Sequence, residues 1–105
     1  TQNGDRIEVE SLREVFGTRL ARLPVTANKS LVGHSLGAAA AVEAALAVEG
    51  MRRGRILPTA NYLPDPELGE LDVVAGEPRA QAHELTLNNA FGFGGTNCSL
   101  VLRGL

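Results

Sequence analysis

The chain has 105 residues, of which 44% are hydrophobic and 21% charged, a composition typical of a globular protein with one domain at most. A formal net charge of −2 and the lack of a basic run give no electrostatic footprint for nucleic acid. The single cysteine, Cys98, cannot form an intramolecular disulfide and suits a reducing compartment. Because residues 1–6 read as an internal loop without a starting methionine, we expect a piece of a longer protein.

The first predicted element is an amphipathic helix that begins near Arg6. Asp5 is placed to cap it, and Glu8 follows at the third position, in the spacing of a capping box. Apolar residues recur on one face of this helix: Ile7, Val9, Leu12, Val15 and Phe16. Gly17 provides its stop, and residues 23–27 have the composition of a strand.

The segment from Asn28 to Gly50 is the one around which the other elements are expected to pack. Between Ser35 and Val48, only Ser35 and Glu43 carry side chains that are neither apolar nor glycine. This pattern predicts a buried, alanine-rich central helix that ends at Gly50. The apolar run is too short for a membrane span and is interrupted by Glu43.

Three ionisable residues in this segment need an explanation. Lys29 and His34 lie where the chain enters the helix, and His34 is either a catalytic group or a cap or packed core residue. Glu43 is expected to be buried and therefore to need a cation, which Lys29, Arg55 or a metal ion could supply. His34 and Glu43 are about two and a half helical turns apart, so they should point to opposite faces.

The next part of the chain is expected to alternate short strands with loops. Residues 55–59 and 71–74 have strand composition, whereas 61–69 contains two prolines and should be a loop. Residues 76–82 are predicted to be a polar connection. His83, which follows this connection, should be exposed to solvent.

The last third of the chain predicts a β-hairpin formed by residues 84–90 and 98–102. The connection between them, 91–97, contains three glycines and two phenylalanines, although exposed rings contribute no packing. It is either a bulged hairpin whose rings fold back on the core or a glycine-hinged loop that brings a ring and a free backbone N–H to a pocket. Its glycine spacing matches neither the Walker loop nor the dinucleotide fingerprint.

Three motifs together resemble the C-terminal quarter of a β-ketoacyl-acyl-carrier-protein synthase, the condensing enzyme of type II fatty acid and polyketide synthesis. They are KSLVGH with LGAA at 29–39, Pro58-Thr59, and NAFGFGGTN at 89–97. The resemblance implies an α/β protein, the C-terminal part of a thiolase-like α-β-α-β-α layered fold with a buried Ala-rich central helix and a C-terminal β-hairpin. Residues 1–105 would then be an incomplete domain whose N-terminal half is missing.

The resemblance also implies a reaction, the decarboxylative Claisen condensation of malonyl-carrier protein with an acyl thioester held on a cysteine. His34 is similar to the second of two histidines that assist decarboxylation, whose donor nitrogen polarises the malonyl thioester carbonyl. Lys29 matches the family's active-site lysine, with an electrostatic and structural role. Phe93 matches a gatekeeping phenylalanine whose backbone N–H forms half of an oxyanion hole.

Further residues match the family at positions around this site. Phe91 is similar to a companion ring, and Gly92 and Gly94 would be hinges of the loop. Thr1 resembles a threonine that contacts the pantetheine arm. Two acidic residues resemble a pair in the network around the lysine: Asp5 and Glu8.

The resemblance implies no required cofactor but leaves room for a structural monovalent cation, Na⁺ or K⁺. Glu43 falls on the position of a glutamate close to the lysine and to this cation site. Asn88 or Asn89 would contribute to the same site.

The family's nucleophilic cysteine and first catalytic histidine would lie upstream of Thr1. Cys98 is no substitute and is expected to be a small buried hydrophobe. The chain alone is therefore expected to be inactive and to expose its central helix. An alternative is a non-catalytic chain-length factor that pairs with a true ketosynthase, although such a partner has no chemical need for Lys29 and His34.

The implied partners are an acyl carrier protein with phosphopantetheine-linked acyl and malonyl groups, and the N-terminal half of the same synthase. The family implies a cytoplasmic homodimer, or a heterodimer in a type II polyketide system. No nucleic acid and no membrane span are expected.

Overall fold

The computed structural model describes residues 1–104 and contains helices and strands in mixed order. The α-helices of this part of the chain are α1 (Gln2–Phe16), α2 (Lys29–Val32) and α3 (Ala39–Arg53). Short 3-10 helices lie at Gly17–Arg22, Leu36–Ala38 and Pro66–Leu68. Across residues 1–104, none of the helices combines the length and the apolarity needed to cross a bilayer.

The strands of the described residues form three separate pairs. They are β1 (Pro24–Val25) parallel to β3 (Asp72–Val73), β2 (Arg55–Ile56) antiparallel to β4 (Arg79–Ala80), and β5 (Leu85–Phe91) antiparallel to β6 (Asn97–Arg103). The β5–β6 hairpin packs against α3, which places one face of the sheet on the central helix. The mixture of helices with parallel and antiparallel strands confirms the predicted α/β class.

The start of α1 differs from the prediction. The helix begins at Gln2, and Thr1 is its N-cap because the Thr1 Oγ1 accepts a hydrogen bond from the Gly4 backbone N–H at 3.0 Å. Asp5 is therefore not the cap but lies in the first turn, where the helix dipole favours a carboxylate. The predicted stop at Gly17 is confirmed, since this residue has a positive φ of 55°.

The predicted single central helix is wrong in its bounds. The chain breaks between α2 and α3, where Gly33 has φ 80° and ψ 172°. At its far end, α3 continues past Gly50 and stops at Gly54, which adopts the left-handed conformation with φ 59°. Gly50 has a different role, since a Cβ there would lie 2.8 Å from the carbonyl oxygen of Arg55, so glycine lets β2 run close to α3.

The central helix is also less covered than its composition predicted. Within α3, only Ala39 and Glu43 are buried, whereas Val42 and Val48 are exposed by 36% and 41%. The apolar residues that are buried are few: Val9, Leu20, Ala39 and Val74. The hairpin covers one side of α3, so its remaining apolar side faces outward, as expected for this chain taken alone.

Two of the predicted connections contain regular structure. Residues 76–82 include β4, which pairs with β2. The two strands of the hairpin extend into the predicted connection 91–97, as far as Phe91 and Asn97, which pair with each other. The strand predicted at 23–27 is reduced to the two residues of β1. Such short strands are fixed by tertiary contacts and have little signal in the sequence.

The side chains of Asp72 and Arg79 join β3 to β4. Their two hydrogen bonds are parallel, from Arg79 Nη1 to Asp72 Oδ2 at 2.6 Å and from Nη2 to Oδ1 at 2.7 Å. Hydrogen bonding and the charge of the guanidinium lower the pKa of Asp72 below its ordinary value of 3.8. This pair therefore stabilises the fold only while Asp72 is ionised.

We expect Asp72→Asn to lower stability at pH 7 and to have less effect as the medium becomes acidic. The folded pKa of Asp72 is depressed, so its contribution is full above about pH 4 and is lost as the pH falls through the lower folded value. Urea unfolding at pH 7 and at pH 3, at concentrations low enough to avoid association, should show the midpoints of the two proteins converging. Glu49→Gln is the matched control because the pair of Glu49 with Arg53 is exposed. A constant gap between the Asp72→Asn variant and the parent at both pH values would contradict the assignment.

Candidate functional site

The centre of the candidate site is an ion pair between Lys29 and Glu43. The Lys29 Nζ donates to Glu43 Oε1 at 2.5 Å and thereby links the first residue of α2 to the second turn of α3. The Glu43 side chain is 8% exposed and the Lys29 side chain 40% exposed. The prediction that buried Glu43 needs a cation is confirmed, and of the two basic residues proposed it is Lys29 that pairs with it.

A cavity of about 90 Å³ lies beside this ion pair. Its polar lining residues include Thr26, Asn28, Glu43, Thr86 and Asn88. Three of them have a buried oxygen without a hydrogen-bond partner, namely Asn28 Oδ1, Glu43 Oε2 and Thr86 Oγ1. Buried oxygens of this kind normally bind water or an ion, so the donor set fits a hard, oxygen-binding cation.

The structure separates the two asparagines that were expected to contribute to a cation site. Asn88 lines the cavity, and its Nδ2 donates to the Ala40 carbonyl at 3.4 Å. Asn89 does not line this cavity, since its Nδ2 donates to Glu8 Oε1 at 3.3 Å and its Oδ1 accepts from Ser99 Oγ at 2.8 Å. Successive residues of a strand point to opposite faces, which explains the separation.

The acidic residues of α1 do not join the ion pair. Glu8 contacts Asn89, and Asp5 is exposed on the first turn of the helix. Among the described residues, the ammonium group of Lys29 pairs with Glu43 and not with these acidic residues. Among residues 1–104, no cluster of three or more His, Cys, Asp or Glu side chains could hold a metal ion.

His34 lies in the break between α2 and α3 and is exposed. Its Nδ1 accepts a hydrogen bond from the backbone N–H of Leu36 at 3.1 Å. In the neutral ring this places the proton on Nε2, which is therefore a hydrogen-bond donor. Leu36 has a φ of 51°, which is unfavourable for a residue with a side chain, so this part of the backbone is strained around the histidine.

The loop of the hairpin holds its aromatic rings away from the core. The side chain of Phe93 is 94% exposed and that of Phe91 56% exposed, which favours the glycine-hinged loop over rings folded onto the protein. The Gly92 N–H donates to the Thr96 carbonyl at 2.7 Å, and a Cβ at Gly92 would lie 2.8 Å from that oxygen. Gly94 and its neighbour Gly95 have positive φ angles of 84° and 83°.

The expected pocket between the histidine and the phenylalanine is not enclosed by the described residues. Neither the cavity of about 90 Å³ nor a shallow groove near Tyr62 is lined by His34 or Phe93. Thr1 is exposed, and its hydroxyl is used as the cap of α1. Thr1, His34 and Phe93 therefore stand on the surface of this chain, whereas Glu43 is buried.

Two minor predictions are wrong. His83 is half-buried and lines the cavity beside Glu43, and its Nδ1 lies 3.1 Å from the Gln81 carbonyl oxygen, to which its N–H donates. Cys98 was expected to be buried but is exposed in β6. The sequence does not determine the side-chain direction of either residue, because His83 follows a polar connection and Cys98 lies at the start of a predicted strand.

Sequence reasoning also missed Asn28 and Thr86. A signal existed for Thr86, because it is a polar residue between Leu85 and Leu87 in an alternating strand, but alternation alone does not say which of the two faces is turned inward. The structure has Thr86 facing inward, whereas Leu85 is 63% exposed. The inner face of β5 is therefore polar where it meets the ion pair.

Comparison with known proteins identifies the family. The sequence profile described as "Beta-ketoacyl synthase, C-terminal domain" matches residues 1–63. The chain belongs to this family, and its motifs of Lys29, His34 and the glycine-rich hairpin are those on which the resemblance rested.

Relatives that match over nearly all of the chain include two synthases. The 3-oxoacyl-[acyl-carrier-protein] synthase 2 of Coxiella burnetii is 40% identical over 103 residues, which cover 97% of this chain and 25% of the relative. The enzyme of the same name from Mycobacterium tuberculosis is 46% identical over 102 residues, covering 96% and 24%. The chain thus spans about a quarter of the length of the curated relatives it matches.

Solved structures show the same fold. A β-ketoacyl synthase from Burkholderia phymatum is 41% identical with a TM-score of 0.88, covering 97% of this chain and 24% of that one. A type II polyketide acyl-carrier protein in complex with its ketosynthase, AntDE:AntF, is 28% identical with a TM-score of 0.88, covering 93% and 24%. The chain therefore has the thiolase-like fold of the C-terminal part of a ketosynthase.

We expect Glu43→Ala to destabilise the protein by about 2 kcal/mol, because it leaves Lys29 unpaired and opens space beside α3. Glu49→Ala, on the exposed side of the same helix, is the matched control and should have little effect. Urea unfolding at low protein concentration measures both. Equal losses of unfolding free energy in the two variants would show that the pair of Glu43 with Lys29 stabilises the protein no more than an exposed ion pair does.

Proposed function

We propose that these residues act as the C-terminal quarter of a β-ketoacyl synthase. The enzyme would catalyse the decarboxylative condensation of malonyl-carrier protein with an acyl thioester in fatty acid or polyketide biosynthesis. The observation that carries this proposal is the orientation of His34, whose Nδ1 is occupied by the Leu36 N–H so that Nε2 donates outward from an exposed position. The names of the relatives described above, 3-oxoacyl-carrier-protein synthases and a ketosynthase, support the same reaction class.

In the proposed reaction, His34 acts on the malonyl thioester. As the carbon–carbon bond to the carboxylate breaks and carbon dioxide leaves, the electron pair moves toward the thioester oxygen, and the Nε2–H of His34 stabilises this charge. The resulting carbanion attacks the acyl thioester on a cysteine supplied by another part of the synthase. The carbon–sulfur bond of that thioester then breaks and returns the thiolate.

Lys29 has an electrostatic role in this proposal. Its Nζ is held by Glu43 in a short contact, so the ammonium is fixed in place and contributes positive charge to the region where the enolate forms. Where a monovalent cation binds, Glu43 and Asn88 would hold it, with the unpartnered oxygens of the cavity as further donors, and it would balance the buried carboxylate.

Phe93 would be the gate of the acyl channel. Its ring stands on a loop that has glycines at both sides, and the positive φ of Gly94 allows a backbone conformation that most residues disfavour. Phe91 would line the same channel. Thr1 would contact the pantetheine arm through atoms other than the oxygen lone pair that caps α1.

The proposed partners follow from the exposed surfaces. An acyl carrier protein would deliver the malonyl and acyl groups, as the complex of a ketosynthase with its carrier protein suggests by analogy. The rest of the synthase would cover the apolar side of α3, including Val42 and Val48. A cytoplasmic homodimer, or a heterodimer in a polyketide system, is the proposed assembly.

A chain-length factor is the second candidate. It is disfavoured because the named relatives are synthases and because a partner without catalysis would need neither the pair of Lys29 and Glu43 nor the oriented ring of His34.

We expect His34→Ala in the complete synthase to reduce malonyl decarboxylation by about a hundredfold or more, since it removes the donor to the developing enolate. Loading of the acyl group onto the cysteine should be largely intact. Radiolabelled carbon dioxide release and acyl-enzyme mass measure the two steps. His34→Gln, which has an amide N–H, should retain more decarboxylation than His34→Ala, and a loss of loading instead would assign the residue to a different step.

We expect the 105-residue chain alone to show no condensation and to associate in solution, because the apolar side of α3 is open. Sedimentation velocity and a condensation assay test this together. Material that stays monodisperse at the concentrations of the condensation assay, or any condensation by the chain alone, would contradict the proposal that the rest of the site lies elsewhere.

A further inference from the structure

The Pro58-Thr59 motif has no role in the site described so far, but Thr59 contacts the segment that carries Lys29. The Thr59 Oγ1 accepts a hydrogen bond from the Ala27 backbone N–H at 3.0 Å. The backbone N–H of Thr59 donates to the Val74 carbonyl at 2.7 Å, and Val74 is only 1% exposed. Thr59 therefore connects the core to the residues just before α2.

A second hydroxyl, on Ser30, reinforces this connection from the other side of Lys29. The Ser30 Oγ donates to the Ala27 carbonyl at 2.7 Å and accepts from the Ala60 backbone N–H at 2.8 Å. Both the N–H and the carbonyl of Ala27 are thus bound by hydroxyl groups, and both hydroxyls belong to the same contact between residues 26–30 and 57–60.

The helix that begins at Lys29 cannot hold its own position. It has four residues, and an isolated helix of this length is unstable in water. Its N-cap, Asn28, makes no side-chain capping hydrogen bond. The direction in which Lys29 leaves the backbone therefore depends on the contacts of Ala27, two residues before it, and of Ser30, directly after it.

We propose that Thr59 and Ser30 are positioning residues for Lys29. Their hydrogen bonds fix the backbone on which Lys29 stands, so that Nζ stays in contact with Glu43 and its charge stays in one place during decarboxylation. This inference rests on the proposed function, and it adds residues that act on the reaction only through Lys29.

The test is a double-mutant cycle in the complete synthase. Thr59→Val keeps the shape of the side chain but removes the acceptor, whereas Thr59→Ser keeps the hydroxyl. We expect Thr59→Val to lower kcat for malonyl decarboxylation about fivefold to tenfold with little change in KM. The variant loses one hydrogen bond, and the backbone that carries Lys29 is then displaced by a small distance. Thr59→Ser should retain most of the activity.

The cycle separates positioning from general support of the fold. In a Lys29→Ala background, Thr59→Val should change kcat less than about twofold, because residues that act through one group are not additive. Ser30→Ala should behave like Thr59→Val. Ser11→Ala is the matched control, because Ser11 Oγ also donates to a backbone carbonyl, that of Ile7, on the exposed part of α1.

Four results would overturn the inference: an unchanged kcat in Thr59→Val, an equal loss in both backgrounds, no recovery in Thr59→Ser, or an equal loss in Ser11→Ala. If the parent enzyme does not decarboxylate malonyl-carrier protein at all, the proposed function fails. The positioning role is then tested by the reactivity of the Lys29 amine. Competitive acylation of the Lys29 amine should be faster in Thr59→Val than in the parent protein, because Nζ no longer stays in contact with Glu43. An unchanged rate of acylation would show that Thr59 does not position Lys29.

Discussion

The buried carboxylate of Glu43 is the constraint on which the rest of the structure depends. A charge that is 8% exposed on an alanine-rich helix must meet a cation, and Lys29 is the cation within reach. The chain leaves the helical conformation at Gly33, between the helix that carries Lys29 and the helix that carries Glu43, and His34 lies in this break. The imidazole thus stands on the short segment that joins the two partners of the ion pair.

The inner surface of the hairpin follows from the same requirement. Thr86 and Asn88 face α3 beside the ion pair, and their oxygen-bearing side chains replace the apolar residues that normally cover a helix. Beyond them, hydroxyl groups on residues 30 and 59 secure the backbone that presents the lysine. The site is thus supported by polar contacts around one fixed charge.

Much of this arrangement could be predicted from the sequence. The pairing of Glu43 with a lysine follows from the cost of an isolated buried charge, and the hairpin follows from alternation and glycine content. The break around Leu36 could not be predicted, because its positive φ opposes the intrinsic preference of leucine. The inward direction of Thr86 could not be predicted either, since a strand with leucines on one face and polar groups on the other is normally oriented the opposite way.

The outward leucines of β5 change how substitutions in this chain have to be judged. Leu85 and Leu87 look like surface positions, and Val101, which lies opposite Leu87 across the hairpin, is 66% exposed. Leu85, Leu87 and Val101 share this outer face, because side chains alternate along a strand and residues directly opposite each other in the ladder lie on the same side, so the outer face is apolar in both strands. Exposed apolar faces of this kind mark contact surfaces, so solvent accessibility in the separate chain is a misleading guide to how these positions tolerate charged residues.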